Sequence, residues 1–315
     1  MMDRTIRVNF YGFYKGFNPH DNFILDAIQK VGPVEVSNKP DYVFYSVFDN
    51  EYLLYDQAVR IFFTGENIAP NFQLCDYAIG FERLEFGDRY LRFPFYYGDS
   101  QYRNDLLRAK QKHTDITQGL LNRKFCSFVY SNADTDGMRN NLFRQLCSYH
   151  QVDSGGKLLN NTDNRYVSDK FEFEKGYKFS IACENSSHLG YCTEKILQSF
   201  GAKTVPIYYG DKSVGLDFNE KAFVNCHKYK DLKQVLEYVE YLDHNDEAYL
   251  AMLSERAFLH QNFVEQMQND FNCFIENIFS QRYEDAFRRN RFFWGKRMDD
   301  KYRKIYKLEK LFRRK

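Results

Sequence analysis

Two short polar segments of the chain concentrate residue types that can move a proton and neutralise a departing anion. The first runs Lys178-Phe179-Ser180-Ile181-Ala182-Cys183-Glu184-Asn185-Ser186-Ser187-His188-Leu189-Gly190-Tyr191-Cys192-Thr193-Glu194-Lys195-Ile196. It reads as strand, polar loop, helix start. Thr193 is the expected N-cap, and the free N–H groups of a first helical turn favour an anion. Lys195 adds a point charge of the kind a diphosphate leaving group requires. Asn185 and Tyr191 can hydrogen-bond a nucleotide or a sugar. The competing role is an ordinary capped helix whose Glu194 complements the dipole.

The second segment is Phe62-Phe63-Thr64-Gly65-Glu66-Asn67-Ile68-Ala69-Pro70-Asn71-Phe72. It leaves the C-terminal end of an expected strand, the edge where open α/β sheets place their sites. Gly65 permits a tight turn that sets Glu66 at the apex, where a carboxylate can act as general base toward a hydroxyl. From local sequence alone the ordinary alternative is favoured: Glu66 caps a backbone N–H or pairs with Arg60.

These segments need elements to hold them. Ile6, Val8 and Phe10 alternate as in a strand, and Asp21 is the expected cap of a helix ending at Gly32-Pro33. Strands are expected at Val34–Val36, Tyr42–Val47, Val59–Phe63 and Tyr77–Phe81, with a helix over Tyr52–Ala58. A second series follows: strand Lys124–Tyr130, helix Gly137–Tyr149, strand Tyr177–Cys183, helix Thr193–Phe200, strand Thr204–Tyr208. Helices over Leu232–Leu242 and Glu247–Phe258 and from about Val264 close the series. Strands alternating with helices indicate parallel sheets with crossover helices. The polar stretch between Tyr97 and Asn122 is the expected connection.

At 315 residues the chain can bury two medium cores. The 44 basic and 43 acidic residues nearly balance, so overall charge does not nominate nucleic acid. The excess is local: residues 281–315 hold 14 basic and five acidic side chains. Seven cysteines without a CxxC pair argue against a disulfide framework or a structural zinc site. No h-region opens the chain, and no stretch approaches the roughly 18–20 apolar residues of a membrane span.

Taken together, GENIAPNF with LCDYAIGFERLEFGDRYLRFPFYY, and FSIACENSSHLGYCTEKI with TVPIYYGD and DFNEKAFVN, resemble the two signature blocks of the α-1,3/1,4-fucosyltransferases, bacterial type. The resemblance covers about Arg60 to Tyr97 and Phe125 to Leu253. It implies a GT-B fold of two Rossmann-like domains facing a cleft, with a C-terminal helical tail. Its implied boundaries are 1–115 for the acceptor domain, 116–280 for the GDP-fucose domain and 281–315 for the tail.

By position in the motifs, Glu66 matches the family's general base. Arg139, in SNADTDGMRNNLF, and Lys195 match the diphosphate-neutralising cations. Asn185, Tyr191 and Glu194 match donor contacts, Glu194 also as a stabiliser of charge on the fucose ring. Glu184 belongs to the block without an assigned role. The implied reaction is inverting transfer from GDP-β-L-fucose to an N-acetylglucosamine-type acceptor in a surface glycan, with an α-1,3 or α-1,4 linkage. No bound metal or other cofactor is required. Phe63 stands where relatives can carry Tyr, which puts one hydroxyl contact in question. A same-scaffold enzyme with another nucleotide-sugar donor and a non-catalytic carbohydrate-binding protein remain open.

Tyr302, Ile305, Tyr306 and Leu308 or Phe312 recur at helical spacing against a basic face, which suits an anionic membrane surface along residues 298–315. A solvated, partly frayed tail or a helix packed on the body is the equal alternative. Asp299-Asp300 is expected to be a solvated pair. The expected location is cytoplasmic, peripheral on the inner face of the cell membrane.

Overall fold

The structure, a computed structural model, describes residues 5–111, 118–132, 135–163 and 165–312. Residues 112–117 of the expected connection, 133–134 of the Arg139 segment and 313–315 of the basic tail lie outside the described residues. The chain divides into two compact units, Met1–Ser100 with Glu265–Lys315, and Gln101–Val264.

The first unit is built on β1 (Ile6–Tyr11), β2 (Val34–Val36), β3 (Tyr42–Tyr45), β4 (Val59–Phe63), β5 (Tyr77–Gly80) and β6 (Tyr90–Arg92). They form one six-stranded sheet in the order β2-β1-β3-β4-β5-β6, parallel throughout. Strands β3, β4 and β5 are buried at every position, because both faces of a parallel sheet are covered. Asn22, one residue past the expected cap, closes the helix Phe23–Gln29 by accepting from Leu25 N–H at 2.9 Å. The helix expected over Tyr52–Ala58 is a single 3-10 turn at Glu51–Leu54. Tyr55 leaves helical geometry there, and its ring stacks on Tyr11 at 4.9 Å.

The C-terminal segment returns to this first sheet. Phe271 of helix Phe263–Ser280 stacks on Phe93 at 4.5 Å, and Phe279 packs on Tyr42 at 4.6 Å. The buried Arg289 pairs with the buried Asp76 and donates to the carbonyls of Ala58 and Asp56. Helix Phe293–Phe312 then places Asp299 against Arg60 at 2.5 Å, Arg303 against Asp56 at 3.1 Å, and Tyr306 in the core. Residues 265–312 group with the first sheet and 101–111 with the second, and the C-terminal segment takes the alternative in which it packs on the body. Asp299 is also no solvated carboxylate, since the guanidinium of Arg60 has no exposed surface and needs a counter-charge.

The second unit contains β7 (Lys124–Phe128), β8 (Val152–Ser154), β9 (Tyr177–Cys183), β10 (Val205–Tyr209) and β11 (Val224–Asn225) in the order β11-β10-β9-β7-β8. Its pairings are parallel. Beta-9 occupies the residues its apolar run predicts and is buried along its whole length. The sheet runs outward in opposite directions from β7 and β9, so their C-terminal ends form the switch point where such sheets bind ligands. Helices Met138–Cys147, Glu194–Gly201, Leu232–His244 and Asp246–Ser254 follow the expected order with ends shifted by a few residues.

Removing the counter-charge of a fully buried guanidinium costs about 3–5 kcal/mol. Asp299→Ala is therefore expected to lower the urea midpoint markedly. Asp300→Ala, whose side chain is 39% exposed with ion-pair distances of 3.6 and 3.8 Å, should change stability by less than about 1 kcal/mol.

Candidate functional site

The polar end of the second unit is assembled on the strand termini β7 and β9. Arg139, in the first turn of helix Met138–Cys147, is buried. It donates to the Asn132 carbonyl at 2.9 Å and to the Cys183 carbonyl at 3.0 Å. One guanidinium thus joins the chain leaving β7 to the last residue of β9. It also lies 4.0 Å from the ring centre of Tyr130. The Tyr130 hydroxyl donates to the Ile181 carbonyl at 2.7 Å and accepts from Cys183 N–H at 2.8 Å, standing in for a strand partner where the ladder ends. Burial pushes this phenol well above its usual range, and Arg139 and Lys195 both act against that shift. With Arg139 on the Cys183 carbonyl and Lys195 paired with Glu184, the next residue, the two cations share one neighbourhood.

Beyond β9 the chain turns through Glu184 to Thr193. Glu184 has no exposed surface. One of its carboxylate oxygens accepts Thr193 N–H at 2.7 Å, and the other accepts the Thr193 hydroxyl at 2.7 Å. This corrects the expected cap: Thr193 occupies the N-cap position of helix Glu194–Gly201, but its side chain makes no capping bond. The buried carboxylate is the stronger acceptor for its proton, so Thr193 does not cap the first turn, where the Glu194 carboxylate accepts from its own N–H.

Lys195 Nζ lies 3.0 Å from Glu184, 3.4 Å from Glu194 and 2.6 Å from the Thr193 hydroxyl oxygen. Burial works against the ammonium, but the carboxylates of Glu184 and Glu194 outweigh it and hold Lys195 above its ordinary value. Burial likewise raises Glu194, and the charges of Lys195 and then Lys170 overcome it, leaving its carboxyl below the usual range. Both groups are charged at neutral pH.

The loop between them is pinned from outside. Asp211, buried, accepts from Gly190 N–H at 2.8 Å and from Ser213 N–H and hydroxyl at 2.7 and 2.6 Å. Gly190 takes φ +87°, which favours glycine. Gly210 is required for a different reason: a Cβ there would meet the Cγ of Glu184 at 2.5 Å. The Asn185 carbonyl accepts the Thr135 N–H and hydroxyl at 3.0 and 2.6 Å, and Tyr191 is buried with its N–H on the His188 carbonyl at 3.2 Å. Sequence reasoning singled out Arg139, Lys195, Asn185, Tyr191 and Glu194, and the fold places them all on this unit. It gave Glu184 no role and missed Asp211, although the PIYYGD block that ends in Asp211 was itself a signal.

Glu66 belongs to the first unit, in the loop after β4. Its N–H donates to the Thr64 hydroxyl at 2.9 Å, and its carbonyl accepts from Ile68 N–H at 2.8 Å. The turn is thus fixed through the backbone while the side chain is half-buried. Arg60 is committed to Asp299 and the Tyr55 carbonyl, so the ion pair favoured from local sequence does not form. Among the described residues no group of three or more His, Cys, Asp or Glu is placed to hold a metal ion.

Asp211→Ala would remove the acceptor that three donors share, at about 1–3 kcal/mol for each left unmatched. The expected result is faster hydrogen exchange at the Gly190 and Ser213 amides, with the β9 core amides still protected.

The chain matches two family models in tandem. Residues 8–98 match the alpha-(1,3)-fucosyltransferase FucT N-terminal domain, and residues 121–285 match the glycosyltransferase family 10 (fucosyltransferase) C-terminal domain. It is 37% identical over 262 residues to the alpha-(1,3)-fucosyltransferase FucT of Helicobacter pylori, covering 71% of this chain and 54% of that protein. It is 28% identical over 147 residues to glycoprotein 3-alpha-L-fucosyltransferase A of Drosophila melanogaster, covering 45% of this chain and 29% of that one. The chain thus spans about half the length of the first of these relatives, and less of the second. Among solved structures, an alpha1,3-fucosyltransferase with GDP-fucose superposes with a TM-score of 0.71 at 30% identity, covering 90% of this chain and 94% of the other. A further alpha1,3-fucosyltransferase crystal structure gives a TM-score of 0.75 at 29% identity, covering 92% and 93%. The two parallel-sheet Rossmann-like units are those of the GT-B class, and with both family domains matched in order the chain belongs to glycosyltransferase family 10, the α-1,3-fucosyltransferases.

Proposed function

We propose that this chain transfers L-fucose from GDP-β-L-fucose, with inversion, to a hydroxyl of an N-acetylglucosamine-type sugar in a surface glycan, forming an α-1,3 or α-1,4 linkage. The observation that carries the reading is a pair of cations at the switch point of the second unit, Arg139 buried on the Cys183 carbonyl and Lys195 partly buried beside Glu184, the next residue. A diphosphate calls for such charges, and the first turn of helix Glu194–Gly201, which Thr193 does not cap, adds oriented N–H groups. In the reaction the acceptor oxygen bonds to C1 of fucose as the bond from C1 to the β-phosphate oxygen breaks. GDP leaves with the bonding electrons, and Glu66 takes the hydroxyl proton. Asn185, Tyr191 and Glu194 hold the donor. No step calls on a metal ion.

The acceptor side falls to the first unit, whose sheet edge carries the Glu66 loop. Phe13 stacks on Phe63 at 5.9 Å, and Tyr14 beside it is half exposed, a ring face of the kind that packs against sugar C–H groups.

Turnover should be seen with GDP-fucose and a β-linked N-acetylglucosamine acceptor, with the α linkage read by NMR. Glu66→Gln should cut kcat by at least about 100-fold, the usual share of a general base, with GDP affinity within about twofold of wild type. Equal turnover with a different GDP-sugar would reassign the donor, and unchanged kcat in the variant would remove the base.

We further propose that helix Phe293–Phe312 rests on an anionic membrane surface. Trp294, Met298, Tyr302, Ile305, Leu308 and Phe312 are exposed along one stripe, flanked by Lys301, Lys304 and Lys307. Among the described residues no helix is long and apolar enough to cross a membrane. Trp294 is the chain's single tryptophan, so its emission should shift to the blue with phosphatidylglycerol-containing vesicles and not with neutral ones. No shift with either would remove this surface from the reading.

A further inference from the structure

The inference concerns the two carboxylates that share one lysine, and it rests on reading Lys195 as a diphosphate-binding cation. An ammonium has three protons to donate. In this structure Lys195 Nζ donates to the Thr193 hydroxyl oxygen at 2.6 Å and to Glu194 at 3.4 Å, and forms an ion pair with Glu184 at 3.0 Å. A phosphate oxygen that reaches the ammonium therefore competes with these three partners.

The three are not equivalent. Glu184 has no exposed surface, and both its oxygens are already engaged by Thr193. Its backbone N–H donates to the Tyr209 carbonyl at 2.7 Å, and it packs so closely on Gly210 that a Cβ there would meet its Cγ at 2.5 Å. Thr193 is 2% exposed and is held by the same carboxylate. Glu194 has the longest contact, and its side chain is 20% exposed in the first helical turn. Displacing it strands no buried group, whereas displacing Glu184 would leave a buried charge without its counter-ion.

We infer that Glu184 is a positioning residue that holds the Lys195 ammonium at the diphosphate site, while Glu194 is its exchangeable partner and gives way when the diphosphate arrives. Donor binding then does two things at once. It takes Lys195 for the leaving group and frees the Glu194 carboxylate for the rest of the donor.

The two carboxylates should respond oppositely to the same isosteric change. Inorganic pyrophosphate, titrated calorimetrically against the full chain, probes the anion site without sugar or base contacts. Glu194→Gln should tighten pyrophosphate binding about tenfold, the scale of one charge-assisted hydrogen bond no longer in competition. Glu184→Gln should weaken it by about the same factor, because the ammonium loses its fixed anchor. A mere change of net charge would tighten both, and that result overturns the assignment. So does weaker or equal binding by Glu194→Gln.

Thr193→Val, which removes one hydroxyl and keeps the shape, should follow Glu184→Gln in direction. If Glu184→Gln does not fold, the sign of the Glu194→Gln effect and that of Thr193→Val decide. Failure of the underlying reading looks different: the wild-type chain would then bind neither pyrophosphate nor GDP.

Discussion

A parallel sheet presents carbonyl oxygens at the C-terminal ends of its strands, and where two such ends meet at a switch point something must satisfy them. Here a single guanidinium does so. Arg139 bonds to the Asn132 and Cys183 carbonyls and lies on the ring of Tyr130, whose hydroxyl completes the β9 ladder. The cation is thereby part of the sheet's own hydrogen bonding, and the site's positive charge is fixed before any ligand arrives. Preorganised charge of this kind is the form in which electrostatic stabilisation acts without reorganisation during the reaction.

Lys195 reaches the same region by a different route. Its flexible stem would let a lone ammonium wander, and burial would favour its neutral form. Glu184 prevents both. The carboxylate ties the helix start to the strand end through Thr193 and keeps the lysine charged. The close approach of Gly210 to Glu184 shows how much of the surrounding structure is shaped around that one side chain. The first unit uses buried charge for another purpose. Arg60 and Arg289 pair with Asp299 and Asp76 across more than 200 residues of sequence and hold the C-terminal helices on the first sheet. Such pairs add little net stability, but they leave the wrong packing with an uncompensated charge.

Much of this was legible in the chain. The apolar run of β9 and the alternation of β1 announce strands because side-chain burial in a sheet follows the backbone's period of two or, in a covered parallel sheet, fills every position. Most short elements were not legible, β2 excepted: β6, β8, β11 and the 3-10 turns have too few residues to carry a period. Thr193 looked like a cap because local rules cannot see a carboxylate nine residues away. Asp299 looked solvated because its partner, Arg60, lies in a strand of the opposite end of the sequence.

What the sequence determined by itself was therefore the class of sheet that carries the motif residues. Glu66 and Asn185 follow strand ends, and Arg139 and Lys195 stand in the first turns of helices, positions that follow from local periodicity. The tertiary structure decided which charge answers which. Whether a carboxylate is a solvated surface group, a clamp or an exchangeable partner depends on burial and on neighbours brought together by folding. Those quantities set the cost of desolvating a charge, and spacing along the chain does not encode them.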